Sequence, residues 1–358
     1  MIFEKDLGKT LATYEKWWAG ELDRPLVPII LTGLESGRKP PRHPFEGQKS
    51  FGNPDIAPEE LIEGADYELS HMEFLGDAYP LFNGLYSGPG IVAAFLGADV
   101  KVDNGNIWFF SKAELPIEEL HFAYQEDNFW LNRIKAVLSE AKRRWGDAVV
   151  IGMPDLGGVA DILATFRGTQ NLLLDLYDSP GEVIRAMNEI KTLWHRYYNE
   201  LIPFTTDGYH TDWSAILSAK RSYMLQCDFG YMLGANMFDR FILNELDETC
   251  TFLDRGCYHL DGVGQIPHLA SLLEIKELKL VQWVPGDGPH AGSDWFDLYR
   301  RVLESGKHLQ ITYDADFRSL DKLISHFGSG RNIVKSGATY PVTQRNQILE
   351  RLARYHIN

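Results

Sequence analysis

Short apolar segments rich in β-branched residues alternate with amphipathic segments from about residue 145 onward. The segment 148–154, AVVIGMP, has the pattern of a buried strand, and Ser179, Pro180 and Glu182 form a helix start with a capping box. In the helix that follows, apolar residues recur every three or four positions, as expected for a helix with one buried face. Strand and helix continue to alternate toward the C-terminus, and this order predicts parallel βαβ units.

Eight apolar segments have the pattern of strands, at about residues 26–31, 78–82, 148–154, 222–227, 257–261, 278–284, 308–314 and 332–335. Eight strand–helix units favour a closed (β/α)8 TIM barrel over an open doubly wound sheet. No G-x-G-x-x-G motif follows a predicted strand, so the dinucleotide-binding pattern of the open alternative is absent. The sequence therefore predicts an α/β protein with a single TIM-barrel domain over residues 1–358.

Two segments lie outside the regular alternation. Residues 1–24 are predicted to form a helical N-terminal extension of the barrel. Residues 33–54 are rich in glycine, proline and basic residues, and this stretch is long for a loop within a compact domain. We predict that residues 33–54 form either a mobile lid or a loop that passes over a site.

Composition excludes several classes of protein. The chain of 358 residues has 35 Lys and Arg against 50 Asp and Glu, a formal charge of −15, which argues against a nucleic-acid-binding protein. No stretch is apolar enough for a transmembrane helix, and the first residues lack the layout of a secretory signal, so no membrane partner is expected. Three cysteines fit a reducing cytoplasm better than a disulfide scaffold. We predict a soluble cytoplasmic protein.

The active site of such a barrel lies at the C-terminal ends of its strands. Polar and aromatic residues occur there, at or just beyond the predicted strands: Asp77, Asp155, Cys227, Asp228, His259, Asp261, Trp283, Asp287, Tyr313, Asp314 and Asp316. Carboxylates crowded into one cleft repel each other, so this set predicts a bound cation, a cationic substrate or shared protons. The structural alternative is that several of them, above all Asp287 and Asp316, are helix caps or turn residues.

His259 and Asp261 form the sharpest local feature. Side chains two positions apart on a strand point to the same face, here the predicted barrel interior. This pair could bind a divalent metal ion, with Cys227 or Asp314 completing the set of ligands. It could equally form a hydrogen-bonded acid–base pair without a metal, and Cys227 could be a buried structural thiol.

Aromatic residues at presumed loops predict a substrate pocket. The candidate substrate-binding residues are Trp108, Tyr209, Trp213, Asp228, Tyr231, Trp283 and Asp314. Aromatic faces of this kind hold flat or apolar ligands, or stack on sugars. For any one of these aromatic residues, packing of the loops on one another is the alternative explanation.

Longer motifs carry a resemblance to a known family. They are DAYPLFNGLYSGPG at 77–90, MPDLGG at 153–158, CDFGYMLGANMFDRFILNEL at 227–246, YHLDG at 258–262 and VQWVPGDG at 281–288. From about Pro25 to the C-terminus, the chain resembles the uroporphyrinogen decarboxylase (URO-D) superfamily. That superfamily contains the decarboxylase itself and methyltransferases that act with corrinoid proteins, and the resemblance implies a (β/α)8 barrel.

The sequence departs from the known sites of that superfamily. True uroporphyrinogen decarboxylases carry R-Q-A-G-R after the first strand and a histidine after the last, and residues 31–37 and the last strand's end lack them. Decarboxylation of uroporphyrinogen is therefore not expected. The corrinoid methyltransferases bind zinc through H-x-C and a later Cys; His259 matches, but Asp261 and Ala338 stand at the cysteine positions. The resemblance thus implies an oxygen-rich site of His259, Asp261 and Cys227, with zinc as the candidate metal.

The resemblance implies a methyltransferase-type enzyme that moves a methyl group from a small methylated donor to a corrinoid protein. Cobalamin would then be present only through that partner. Asp77 and Asp155 would orient the donor, while His259 and Asp261 would hold the metal or a catalytic water. The alternatives are a metal-free lyase or hydrolase acting on a small carboxylated, aromatic or sugar substrate, and a non-catalytic ligand-binding member. Homologous barrels are often dimers, so a homodimer is a further candidate.

Overall fold

The computed structural model describes residues 5–286, 295–312 and 317–357. Its helices are α1 (Leu7–Trp18), α2 (Gln48–Phe51), α3 (Pro58–Leu69), α4 (Val92–Phe95), α5 (Phe129–Trp145), α6 (Val159–Arg167), α7 (Thr169–Asp178), α8 (Pro180–Leu201), α9 (Ala235–Phe241), α10 (Leu243–Phe252), α11 (Leu269–Glu274), α12 (Phe296–Glu304), α13 (Arg318–Phe327) and α14 (Arg345–Ala353). Within these ranges, none of the helices combines the length and the apolar character needed to cross a membrane.

The strands alternate with these helices along the chain. They are β1 (Pro28–Thr32), β2 (Met72–Gly76), β3 (Leu81–Phe82), β4 (Asp99–Asp103), β5 (Asn106–Phe110), β6 (Val150–Ile151), β7 (Ser222–Gln226), β8 (Arg255–Asp261), β9 (Leu278–Val284), β10 (His308–Ile311), β11 (Ile333–Lys335) and β12 (Ala338–Pro341). The largest sheet is parallel, with the order β11-β10-β9-β8-β7, and a helix or helix pair connects each strand to the next. This confirms the predicted α/β class.

The strands in the first half of the chain do not follow the regular parallel order of the large sheet. β1 pairs parallel with β12 and antiparallel with β2, whereas β3 and β6 pair over two residues each. β4 and β5 form an antiparallel hairpin whose turn, Asn104-Gly105, has φ of 49° and 83°, as in a type I′ turn. The strand predicted at 78–82 is reduced to its last two residues, since Pro80 has no N–H to donate to a neighbouring strand.

Helix α1 covers one end of the parallel sheet. An inner apolar cluster joins it to the strands and their flanks, and contains Tyr14, Trp17, Leu26, Val150, Met224, Cys257, Leu280 and Val334. Asp6 is the N-cap of this helix, and its carboxylate accepts a hydrogen bond from the Lys9 N–H at 3.0 Å. Glu15 pairs with Arg255 at the first residue of β8, and the Trp17 carbonyl lies 2.8 Å from the His308 Nε2 at the first residue of β10. The covered end is therefore the amino-terminal end of the strands.

The segment 33–54, predicted to be a lid or a loop over a site, lies against α3 and α5. The Ser36 hydroxyl lies 3.0 Å from the His71 Nε2 just after α3, and Arg38 forms a 2.6 Å ion pair with Asp66 of that helix. The Arg133 guanidinium of α5 donates to the carbonyl of Phe51 at 2.8 Å. These contacts fasten both ends of the segment, while its function as a lid stays a prediction.

Candidate functional site

The parallel sheet carries a row of polar side chains across its centre. Gln226, His259, Gln282 and Gln310 are register partners on β7, β8, β9 and β10, so they lie side by side on one face. Cys257, two residues before His259, belongs to the inner apolar cluster. The row therefore faces the same side as that cluster, nearer the carboxyl ends of the strands.

Hydrogen bonds along this row determine which imidazole nitrogen of His259 carries a proton. The Gln310 amide donates to the Ser214 carbonyl at 3.2 Å, so its oxygen faces Gln282 and accepts from the Gln282 amide at 2.6 Å. The Gln282 oxygen must then face the His259 Nδ1. Because an amide oxygen only accepts, Nδ1 carries the hydrogen, and in the neutral ring Nε2 keeps a free lone pair.

Two carboxylates lie beside that lone pair. Each of Asp228, His259 and Asp261 offers one ligand atom within 4.8 Å of the others, and the His259 Nε2 lies 3.9 Å from an oxygen of Asp261. The ring of Trp213 meets the imidazole of His259 edge to face, with ring centroids 5.2 Å apart. Asp228 therefore lies together with the predicted His259–Asp261 pair and forms the third member of the cluster. The sequence predicted Asp228 as a substrate-binding residue.

The Asp161 carboxylate fixes the backbone at Asp228. Asp228 begins a 3-10 turn after β7, and its N–H and that of Phe229 donate to the two oxygens of Asp161 at 3.0 and 2.7 Å. Burial, followed by the nearby charge of Asp228, raises the pKa of Asp161 to about 7. Asp161 is not among the residues predicted from the sequence, although its position within the otherwise apolar start of α6 was the available signal.

The charges of His259 and Asp261 act on the pKa of Asp228. Protein atoms around the Asp228 carboxyl group reduce its hydration and raise its pKa, and the charge of Asp261 acts in the same direction. His259 opposes this effect and lowers the pKa of Asp228. A bound cation would relieve the repulsion between the two carboxylates, as the sequence analysis anticipated.

The structure places the predicted metal ligand Cys227 away from this cluster. Gln226 belongs to the polar row, and the following residue of an extended strand points to the other side. The Cys227 side chain is buried, and burial raises the pKa of its thiol. Among the described residues, the group that could hold a metal ion contains Asp228 in place of Cys227.

The two aspartates predicted to orient a donor have buried partners. Asp77 accepts two hydrogen bonds from the Arg24 guanidinium and one from the Val27 N–H, all at 2.8 Å. Asp155 accepts from the Gly157 N–H at 3.0 Å. Burial is the main reason that the pKa of Asp155 rises to about 7. Neither belongs to the metal-ligand group, and their catalytic roles stay predictions.

The predicted aromatic residues have different environments. Trp108, 51% exposed, lines a crevice of about 170 Å³ together with Asp161 and Asp228. Tyr231 is exposed beside the turn that follows β8, whereas Tyr209 packs partly buried on the inner apolar cluster. Trp213 also packs partly buried on that cluster, and Trp283 lies fully buried in the core.

Trp283 follows Gln282 on β9, so its side chain points to the opposite face of the sheet from the polar row. It packs edge to face on Trp295, with ring centroids 5.0 Å apart. Four other residues predicted near the mouth, Asp287, Tyr313, Asp314 and Asp316, lie outside the described residues.

The protein thus has a mixed α/β fold, and an imidazole and two carboxylates lie together at the carboxyl ends of its parallel strands. The fold is similar to that of a methyltransferase from Methanosarcina mazei, with a TM-score of 0.60 over 95% of this chain and 99% of that one, at 10% sequence identity. No protein-family model matches the sequence, and no curated protein matches it. At this identity, the similarity establishes the fold.

Proposed function

We propose that this chain is a methyltransferase-type enzyme of the URO-D-like superfamily. The observation that carries the proposal is the Asp228–His259–Asp261 cluster, placed at the carboxyl ends of parallel strands in a fold shared with a methyltransferase. The substrate is a small methylated donor, and the acceptor is the cobalamin of a corrinoid protein. Transfer breaks the bond between the methyl carbon and the donor heteroatom, which keeps the bonding electrons, while the methyl group joins the reduced cobalt of the partner.

A closed (β/α)8 barrel is part of this proposal. Backbone hydrogen bonds link the separate sheets. Just before β1, the Leu26 N–H donates to the carbonyl of Ile333, the first residue of β11, and the Val27 carbonyl accepts from the Asp77 N–H. On the other side, the Met153 N–H donates to the Thr211 carbonyl at 2.8 Å. These bonds connect β1 to β11, the region of β3 to β1, and β6 to the segment before β7. They support one continuous ring of strands around the inner apolar cluster.

The donor atoms of this cluster suit a divalent metal ion. An imidazole nitrogen with a free lone pair and two carboxylates are ligands that zinc accepts, and three protein ligands leave a coordination position open for a substrate. Zinc, when bound, supplies Lewis acidity that polarises a donor or lowers the pKa of an acceptor group. The protein contributes the rest: Gln282 fixes the tautomer of His259, Asp161 positions Asp228, and Trp213 shields one side of the imidazole.

Metal content tests this proposal. Untagged wild-type protein, dialysed after incubation with zinc, is expected to retain about one ion per chain by elemental mass spectrometry. The double variant His259→Ala/Asp261→Ala is expected to retain none, and Asp239→Ala, which changes an exposed residue of α9, serves as a control with wild-type content. Folded wild-type protein that binds no zinc, cobalt or manganese would contradict the metal site and favour metal-free acid–base chemistry.

The hydrogen bond from His259 to Gln282 gives a second prediction. Gln282→Met keeps the side-chain volume but removes the acceptor for the Nδ1 hydrogen, so zinc affinity is expected to fall by about 10- to 100-fold. Competition with a chromophoric chelator measures the affinity. Gln226→Met, in the same row, is the matched control and is expected to change it much less. Equal effects of the two substitutions would show that the hydrogen bond to His259 has no special role.

A further inference from the structure

A second and larger cavity lies on the side of β1, β2 and α3. Its volume is about 540 Å³, within the range of small-molecule sites. Its walls include Ile30 of β1, Ala65 and Leu69 of α3 and Phe74 of β2. Residues 45–48, from the segment predicted as a lid, and the turn of the β4–β5 hairpin complete them. The cavity is therefore lined mainly by apolar side chains from several elements.

Aromatic rings form much of this lining. Phe82 and Tyr86 stack with centroids 4.5 Å apart and an interplanar angle of 19°, and Phe45 lies 6.0 Å from Phe82. Phe74 also lines the cavity. The faces of aromatic rings carry partial negative charge, so a cluster of them attracts organic cations as well as apolar groups.

The charged residues of the cavity are all acidic. Glu46 and Glu68 line it, whereas none of the described lining residues is Lys, Arg or His. Glu46 pairs with Lys49 at 2.9 Å. Glu68, half-buried on α3, forms no ion pair within the described residues. A carboxylate and several aromatic rings that line one cavity favour a cation over an anion or a neutral molecule.

One loop separates this cavity from the metal-ligand cluster. The Asn83 amide, which lines the cavity, donates to the Trp213 carbonyl at 3.1 Å, and Ala215 lines the cavity directly. The ring of Trp213 contacts His259 on the other side. An occupant of the cavity therefore lies against the same segment that contacts the imidazole.

We propose that this cavity binds a small organic ammonium ion, held by the Glu68 carboxylate and the rings of Phe45, Phe74, Phe82 and Tyr86. Binding itself is independent of the metal-ligand cluster.

Choline and its uncharged counterpart 3,3-dimethylbutan-1-ol test the proposal, because they differ chiefly in the charge of one central atom. Isothermal titration is expected to show saturable choline binding and at least tenfold weaker binding of the alcohol. Glu68→Gln is expected to weaken choline binding by about five- to tenfold and to leave binding of the alcohol unchanged. Glu63→Gln, on the exposed face of the same helix, is the matched control. Absence of choline binding, or equal affinity for the two probes, would overturn the proposal.

Two further variants separate this site from the metal-ligand cluster. Phe45→Leu keeps an apolar wall but removes one aromatic face, and a loss of about threefold or more in choline affinity is expected. The His259→Ala/Asp261→Ala protein is expected to bind choline as the wild type does. Choline binding without zinc binding would overturn the proposed metal site alone. Zinc binding with no preference for choline would overturn the ammonium site alone.

Discussion

Asp77→Ala is expected to reduce the free energy of unfolding by about 3–5 kcal/mol. The Asp77 side chain is only 5% exposed and accepts two hydrogen bonds from Arg24 and one from the Val27 N–H. Removing the carboxylate leaves the Arg24 guanidinium, itself 17% exposed, without its charge partner, and leaves a buried N–H unsatisfied. Urea unfolding followed by circular dichroism measures the change.

The exposed Asp103, on the β4–β5 hairpin, provides the control for Asp77. Asp103→Ala is expected to change the free energy of unfolding by less than about 0.5 kcal/mol. Asp77 is also predicted to orient the donor, and stability measured together with methyl transfer separates the two roles. An Asp77→Ala protein of wild-type stability that has lost methyl transfer would contradict the structural role described here.

The second prediction concerns pH and Asp155. Burial raises the pKa of this carboxyl group from 3.8 to about 7, so the folded protein holds a proton there that the unfolded chain releases. Below pH 4, Asp155 is protonated in both states and does not lower the free energy of unfolding. As pH rises from 4 toward 7, ionisation in the unfolded chain lowers the free energy of unfolding progressively. Above pH 7 the penalty is constant, at up to about 4 kcal/mol for a shift of about three pKa units.

Asp155→Asn removes the titrating group while keeping an oxygen that can accept from the Gly157 N–H. The variant is expected to be more stable than the wild type at pH 8, and the difference is expected to disappear near pH 4. Unfolding midpoints in urea from pH 4 to 8 measure the difference, with the exposed Asp178→Asn as control. A difference that is independent of pH, or that increases toward acid, would contradict the raised pKa of Asp155.

Sequence patterns predicted the features that depend on local order. The alternation of strand and helix identified the parallel sheet, and the two-residue spacing of His259 and Asp261 placed both side chains on the face that also carries Asp228. The same rule of alternation, applied to Gln282, would also have directed Trp283 into the core. These relations need no knowledge of the distant parts of the chain.

The features that the sequence did not reveal depend on contacts between distant residues. The chain from Gln310 through Gln282 to His259 requires the register of three strands. The link from Asp161 to Asp228 spans 67 residues, and that from Arg24 to Asp77 spans 53. Burial and pairing at such separations depend on the assembled fold, so a single sequence gives little signal for them.

The exposure of Trp108 has a spectroscopic consequence. All nine tryptophans lie within the described residues, and Trp108 is the one whose side chain is more than half exposed. Iodide should therefore quench the emission of Trp108 more than that of the other tryptophans, which are buried or only partly exposed. Because Trp108 lines the crevice with Asp228, a partner protein that covers this crevice should reduce iodide quenching. The protein thus carries an intrinsic fluorescent reporter of association at its candidate site, without any added label.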